Sequence, residues 1–185
     1  MKLNLGCGFN KREDYINVDC NEYCMPDIEV DLDKTEWPWG DDSVDAVDLT
    51  HTLEHLGETT AEFFHVMKEL YRVCKSGTVI DIAVPHPMHH AFMDDPTHVR
   101  PITPDCLDMF NKKHNSDDIK AGGYESKLGI MLGIDLRIAG VKYLLEPKWE
   151  LLVQNNLMSD VEMVQKMTTE NNVCMEMLIK LEVVK

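Results

Sequence analysis

The sequence has no run of about 18 apolar residues, which excludes a transmembrane helix. Its most apolar long stretch, Gly129 to Leu145, is broken by Asp135, Arg137 and Lys142. It also lacks a signal-peptide core, since Lys11, Arg12, Glu13 and Asp14 follow only a few apolar residues. Basic residues are scarce: 18 Lys and Arg stand against 33 Asp and Glu, a net charge of −15. Nucleic acid and anionic membrane both need a positive field, so neither is expected as a main partner. No CxxC pair occurs among the 6 cysteines. Scattered cysteines without an export signal are expected to be reduced thiols, which points to a cytoplasmic protein. Cys20 and Cys24 are close enough to share a metal, but two lone cysteines read first as ordinary thiols. There is no repeat and no low-complexity tract, and 44% hydrophobic residues exclude a disordered chain despite the charge. The 185 residues fit one domain, 1–185.

What is present is a string of short apolar runs. Lys2–Gly6, Tyr15–Asp19, Ile28–Leu32, Val44–Thr50 and Thr78–Val84 are rich in β-branched residues and bounded by Gly, Pro or Asp, which is the strand signature. A helix lies between the fourth and fifth runs. Thr59 with Glu62 forms a capping box, and Phe63, Val66, Met67, Leu70, Val73 and Cys74 make an apolar stripe at helical spacing. Lys75-Ser76-Gly77 supplies a turn after it. Strand, helix, strand predicts a parallel α/β sheet. Later, Leu128, Ile130, Leu132, Ile134, Leu136 and Ile138 alternate, and Ala139-Gly140 offers a turn into Val141–Leu145. Ser159 with Glu162 predicts another capped helix, with Val161, Val164 and Met167 inward. Val173, Met175, Met177, Ile179, Leu181 and Val183 then alternate to the end, a period that suits antiparallel strands.

The first run closes on Leu5-Gly6-Cys7-Gly8. Glycines at a strand's carboxyl end let the backbone approach a ligand, and Asp19, ending the second run, can accept both hydroxyls of a ribose. The alternative is a tight turn and a surface acid. A dinucleotide fingerprint is excluded, because no third glycine follows Gly8 and Asp19 comes only 11 residues later.

Leu3-Asn4-Leu5-Gly6-Cys7-Gly8 followed by Ile16-Asn17-Val18-Asp19 resembles the opening of class I S-adenosylmethionine-dependent methyltransferases, in their small methyltransferase type 11-like branch. Asp31-Leu32-Asp33 through Trp37-Pro38-Trp39 and Asp42-Ser43-Val44-Asp45, then Leu53-Glu54-His55-Leu56, then Glu69 to Gly77, resemble further motifs of that branch in the same order. The resemblance implies a Rossmann-like α/β sheet, mostly parallel with antiparallel C-terminal strands and helices on both faces. It implies S-adenosylmethionine as cofactor. Gly6, Cys7 and Gly8 would pack on its amino-acid part, Asp19 and the adjacent Cys20 would meet the ribose, Asp31 and Leu32 the adenine, and Thr50 and His51 the methionine and sulfonium. The sequence departs from the family mildly at Ser76 and Thr78, which stand where it usually has Pro and Gly, and more seriously in lacking the usual helices before the first strand and in its first connection. Only Phe9–Asp14 separates the first two strands, where a parallel crossover usually takes a dozen or more residues, so the first helix must shrink to a turn.

From Pro85 to about Lys127 the periodicity stops and prolines and histidines accumulate, with one short helix expected from Thr103 and Pro104 to Phe110. This segment, 85–127, is expected to be the lid and substrate insertion. His98 or His86 is the expected general base, with Asp95 orienting it, while Arg100 and His55 face the substrate. Neither His86-x-x-His89-His90 nor Asp94-Asp95-x-x-His98 matches a specific ligand spacing, so no metal ligand is assigned. The reading is methyl transfer to a small-molecule acceptor, with a homodimer covering the face its missing helices expose. The alternatives are a cofactor-binding module without turnover and a metal-dependent hydrolase built on the histidines.

Overall fold

The computed structural model describes residues 1–185. The short apolar runs become β1 Lys2–Leu5, β2 Ile16–Asp19, β3 Ile28–Glu29, β4 Val44–Thr50 and β5 Cys74–Pro85. With β6 Leu136–Leu145 and β7 Cys174–Val183 they form one sheet of order β3-β2-β1-β4-β5-β7-β6. The first five strands pair in parallel, and β7 runs antiparallel to both β5 and β6. This is the expected α/β, Rossmann-like sheet. No helix is long and apolar enough to cross a membrane.

Helix α1, Thr60–Val73, starts on the capping box of Thr59 and Glu62 and buries Phe63, Val66, Met67, Leu70 and Val73 against the sheet. Met67 and Leu70 are fully buried, each contributing about 1.5–3 kcal/mol relative to exposure. The chain then enters β5 directly. The turn expected at Gly77 lies inside that strand, where the pairing slips from Val44↔Cys74 to Ala46↔Val79 and Gly77 takes φ +82°.

The first connection holds no helix, and side-chain amides stand in for one. Asn4 Nδ2 donates to Asn17 Oδ1 at 2.9 Å and to the Asn10 carbonyl at 3.0 Å. Asn17 Oδ1 also accepts from Arg12 N at 2.8 Å, and its Nδ2 donates to Asp27 Oδ2 at 2.8 Å. Arg12 then pairs with the buried Asp48 at 2.8 Å. In the strand register Asn17, Asn4, Asp48, Asp81 and Lys180 are successive partners, so they form one polar row across a single sheet face. The alternate residues Leu3, Leu5, Val47, Leu49, Ile80, Ile82, Ile179 and Leu181 are buried in the opposite face. Helical cover is therefore uneven. Over β4, β5, β7 and β6 the polar face opens into a depression of about 550 Å³, lined by strand residues and Arg12.

Three expectations of local structure are corrected. Leu128–Leu132 is helix α5, not strand, ended by Gly133 at φ +76°. Ala139-Gly140 is a bulge within β6 rather than a turn between two strands. In α7, Asp160–Thr169, Met163 and Met167 face inward, while Val161 and Val164 are exposed. Between Pro85 and Lys127 the chain forms α2 His90–Met93, α3 Pro104–Asp108 and α4 Lys112–Lys120, and α6 Pro147–Gln154 follows β6.

Candidate active site

Because β1 to β5 are parallel, the loops after them gather at one edge of the sheet, where open α/β folds bind ligands. Gly6 takes φ +66°, and a Cβ there would meet Thr52 Cγ2 at 2.3 Å. Thr52 is itself buried, its Oγ1 donating within 3.1–3.3 Å of the carbonyls of Leu5, Thr50 and Gly6. Gly8 takes φ +49° with nothing within 4 Å of a built Cβ, so its outer side is free for a ligand. Gly8 N donates to Asp19 Oδ2 at 2.8 Å and Asn21 N to Asp19 Oδ1 at 2.9 Å, which fixes the carboxylate beside the glycine loop. Cys7 is buried, and burial, then the Asp19 charge, pushes its thiol pKa up. Cys20 is exposed next to Asp19, and all six cysteines are free.

The third loop is tied to the fourth. Asp31 Oδ1 accepts from Asp33 N at 3.1 Å, and Asp33 Oδ1 accepts from Gly57 N at 2.9 Å. Leu32 is buried in the core, with its carbonyl accepting from Trp37 Nε1 at 3.1 Å, so its side chain packs inward instead of presenting a face to adenine. Trp37 and Trp39 are buried edge to face, 5.9 Å between centroids, and serve packing. Thr50 turns away from the glycine loop, donating to Asp48 Oδ1 at 2.8 Å and lining the open sheet face.

His51, at φ +50°, stands at the end of β4 with 55% of its side chain exposed. Its Nε2 is 2.8 Å from Glu176 Oε1 and its Nδ1 3.5 Å from Glu54 Oε1. Contact with Glu54, and the Glu176 charge, hold its pKa above the ordinary imidazole value against the opposing effect of burial. Glu176 and Asp33 were not legible as site residues. Glu176 reaches the edge only because β7 pairs Glu176 with Pro85 at the end of β5.

The histidines of the 85–127 segment divide by the nitrogen they leave free. His86 Nδ1 accepts from Met88 N at 3.2 Å, and burial, then nearby His89, lowers its pKa, so the neutral ring keeps its proton on Nε2 and offers no free lone pair. His89 is buried, capping α2 through Nδ1 and donating to Glu146 Oε1 at 2.9 Å. His98 Nδ1–H donates to the Phe92 carbonyl at 2.7 Å, leaving Nε2 unprotonated. The expectation that Asp95 orients His98 is corrected: Asp95 lies 4.0 Å from Nε2 and spends Oδ1 on Thr97 N and Oγ1, because the Asp-Pro-Thr turn closes on itself. Those two bonds from Thr97 hold the Asp95 pKa low. His55 Nδ1–H points at the Thr97 carbonyl, 3.2 Å away, and its ring lies 4.6 Å from that of His98. Arg100 does not face a substrate. Its guanidinium stacks 4.4 Å over Phe63 and donates to the Gly57 carbonyl at 2.9 Å.

No family model matches the chain. No curated protein matches it either. Solved structures do match. A methyltransferase dependent on S-adenosylmethionine from Archaeoglobus fulgidus is 18% identical, with a TM-score of 0.59 over 98% of this chain and 85% of its own. One from Mesorhizobium loti is 16% identical, with a TM-score of 0.53 over 98% and 90%. The [4+2]-cyclase SpnF is 13% identical, with a TM-score of 0.56 over 99% and 75%. Together with the strand order, these define the fold. The chain has the fold of class I S-adenosylmethionine-dependent methyltransferases.

Proposed function

We propose that this protein binds S-adenosylmethionine and transfers its methyl group to a small-molecule acceptor. One observation carries the reading: the Gly6-Cys7-Gly8 loop is held open at the carboxyl end of β1 by Asp19 at the end of β2, through Gly8 N to Asp19 Oδ2 at 2.8 Å. That geometry leaves backbone for the cofactor's amino-acid part and a fixed acid for its ribose. The acidic edge suits a sulfonium cation. The free Nε2 of His98 accepts the acceptor's proton, in preference to His86, whose Nδ1 is occupied. The segment 85–127 supplies the acceptor pocket, and the setting is cytoplasmic, consistent with six free cysteines. The cyclase neighbour is a reminder that one fold hosts several chemistries, so activity needs its own test. Calorimetry with S-adenosylmethionine and its demethylated product is expected to give micromolar binding that Asp19→Ala abolishes, and labelled methyl should appear on an acceptor from a small-molecule panel. Absence of binding by both compounds to folded protein overturns the reading. Binding without transfer to any acceptor leaves the non-catalytic module.

A further inference from the structure

Glu54 is 0% exposed, yet neither carboxylate oxygen has a hydrogen-bond partner. His51 Nδ1 comes within ion-pair distance of Oε1, at 3.5 Å, which leaves Oε2 with no partner of either kind. A buried carboxylate without donors is strongly disfavoured and calls for a cation. Glu54, His55 and His98 each bring one ligand atom within 4.8 Å of the others. The two rings are already set for a cation. His98 gives its Nδ1–H to the Phe92 carbonyl, which bares Nε2, and His55 Nδ1 is held by Thr97, whose carbonyl lies at 3.2 Å and Oγ1 at 3.0 Å, so its Nε2 also faces away from that loop. Metal-bound imidazoles are oriented in this way from behind. The segments are also clamped together, since Val99 N and Arg100 N both donate to the Glu54 carbonyl, at 3.0 and 3.2 Å. Phe92 stacks on the His98 ring at 5.2 Å and limits its rotation.

We propose that Glu54, His55 and His98 bind one divalent transition-metal ion. Two imidazoles and one carboxylate are a donor set for Zn²⁺, Fe²⁺ or Co²⁺, and three protein ligands leave positions for water or a ligand oxygen. Bonds of about 2.0–2.2 Å set ligand atoms roughly 3–3.5 Å apart, so the three atoms, now within 4.8 Å of one another, close inward when the ion binds. This reverses the sequence expectation of no metal ligand. Glu54 and His55 are adjacent and His98 is remote, so no spacing announces the site. With metal bound, His98 is a ligand and an acceptor's oxygen meets the ion instead of the imidazole.

The full chain, stripped with chelator and free of any S-adenosyl compound, is titrated with Co²⁺ alone. One equivalent should bind, with visible d–d bands and no thiolate charge-transfer band. Affinity should fall at least about 100-fold in Glu54→Gln and in His98→Gln, and should be unchanged in His114→Ala, which alters a histidine outside the cluster. If Glu54→Gln does not fold, His55→Asn, at a half-buried position, reads the same loss. No stoichiometric binding, a thiolate band, or wild-type affinity in the ligand variants overturns the proposal and leaves His98 as a base. The cofactor titration is a separate measurement, so cofactor binding and metal binding can each fail alone, and only the base role of His98 gives way if the metal binds.

Discussion

The side-chain amide of Asn4 is joined to that of Asn17 beneath the first connection, Nδ2 to Oδ1 at 2.9 Å. This pair takes over backbone groups that a crossover helix would satisfy. In Asn17→Leu, Arg12 N and Asn4 Nδ2 lose an acceptor, and urea denaturation should show a loss of about 2–3 kcal/mol. The backbone and side chain of Asn17 hold the Asp27 carboxyl below its ordinary range, so its titration in the variant should move upward.

Glu69 and Arg72 form the main ion pair under the two tryptophans. Glu69 accepts from Arg72 Nη2 at 2.6 Å, Arg72 Nε at 2.8 Å and Trp37 N at 2.8 Å. Burial pushes the Glu69 pKa up, but the Arg72 and Trp37 hydrogen bonds outweigh it and hold it below the ordinary 4.5. A depressed carboxyl stabilises the fold above pH 4.5, and that contribution is lost as pH falls through the lower folded value. Stability measured from pH 6 downward, a range of roughly two units on the acid limb, should therefore decline less steeply in Glu69→Gln than in wild type. Glu69→Ala should cost about 2–4 kcal/mol at neutral pH, less than for a fully buried pair because Arg72 is partly exposed.

Gly6→Ala and Gly8→Ala separate structure from binding. Both glycines have positive φ, but only a Cβ at Gly6 strikes Thr52, at 2.3 Å. Gly6→Ala should lower stability by more than about 1 kcal/mol and abolish cofactor binding. Gly8→Ala should cost only the backbone strain of about 1–2 kcal/mol while still weakening binding, because its methyl points into the space left for the ligand. Thermal unfolding and calorimetry on the same two proteins check this.

Arg100→Ala should act on stability, not on acceptor affinity. It removes the bond to the Gly57 carbonyl and the stack on Phe63, together about 1–2 kcal/mol. A matching loss in Arg100→Lys at unchanged acceptor KM would show that the planar fork is what matters.

Much of the fold was legible because local chemistry and topology agree. The capping boxes at Thr59 and Ser159 both formed, and the runs at Lys2, Tyr15 and Val44 became strands within a residue. One failure is a case where two periods coincide. Leu128 and Leu132 share a face in a strand and in a helix alike, and the exposure of Ile130, 46%, is what tells them apart. Valines 161 and 164 carry a strong apolar signal, yet α7 turns the longer, more adaptable Met163 and Met167 inward. In the site, the glycine loop and Asp19 were readable from spacing. Glu176 and the free nitrogens of each histidine were not, since they depend on strand pairing and on carbonyls such as Phe92 and Thr97.

The polar row from Asn17 to Lys180 leaves the centre of one sheet face without an apolar layer. A parallel sheet is ordinarily sandwiched between two oily slabs, so damage to one leaves the other standing. Here Asp81 is half-exposed and Asp48 lies under Arg12, and at this row the apolar layer around Leu49, Ile80 and Leu70 on the other face carries the cohesion. A cavity cut in that layer has no second slab behind it.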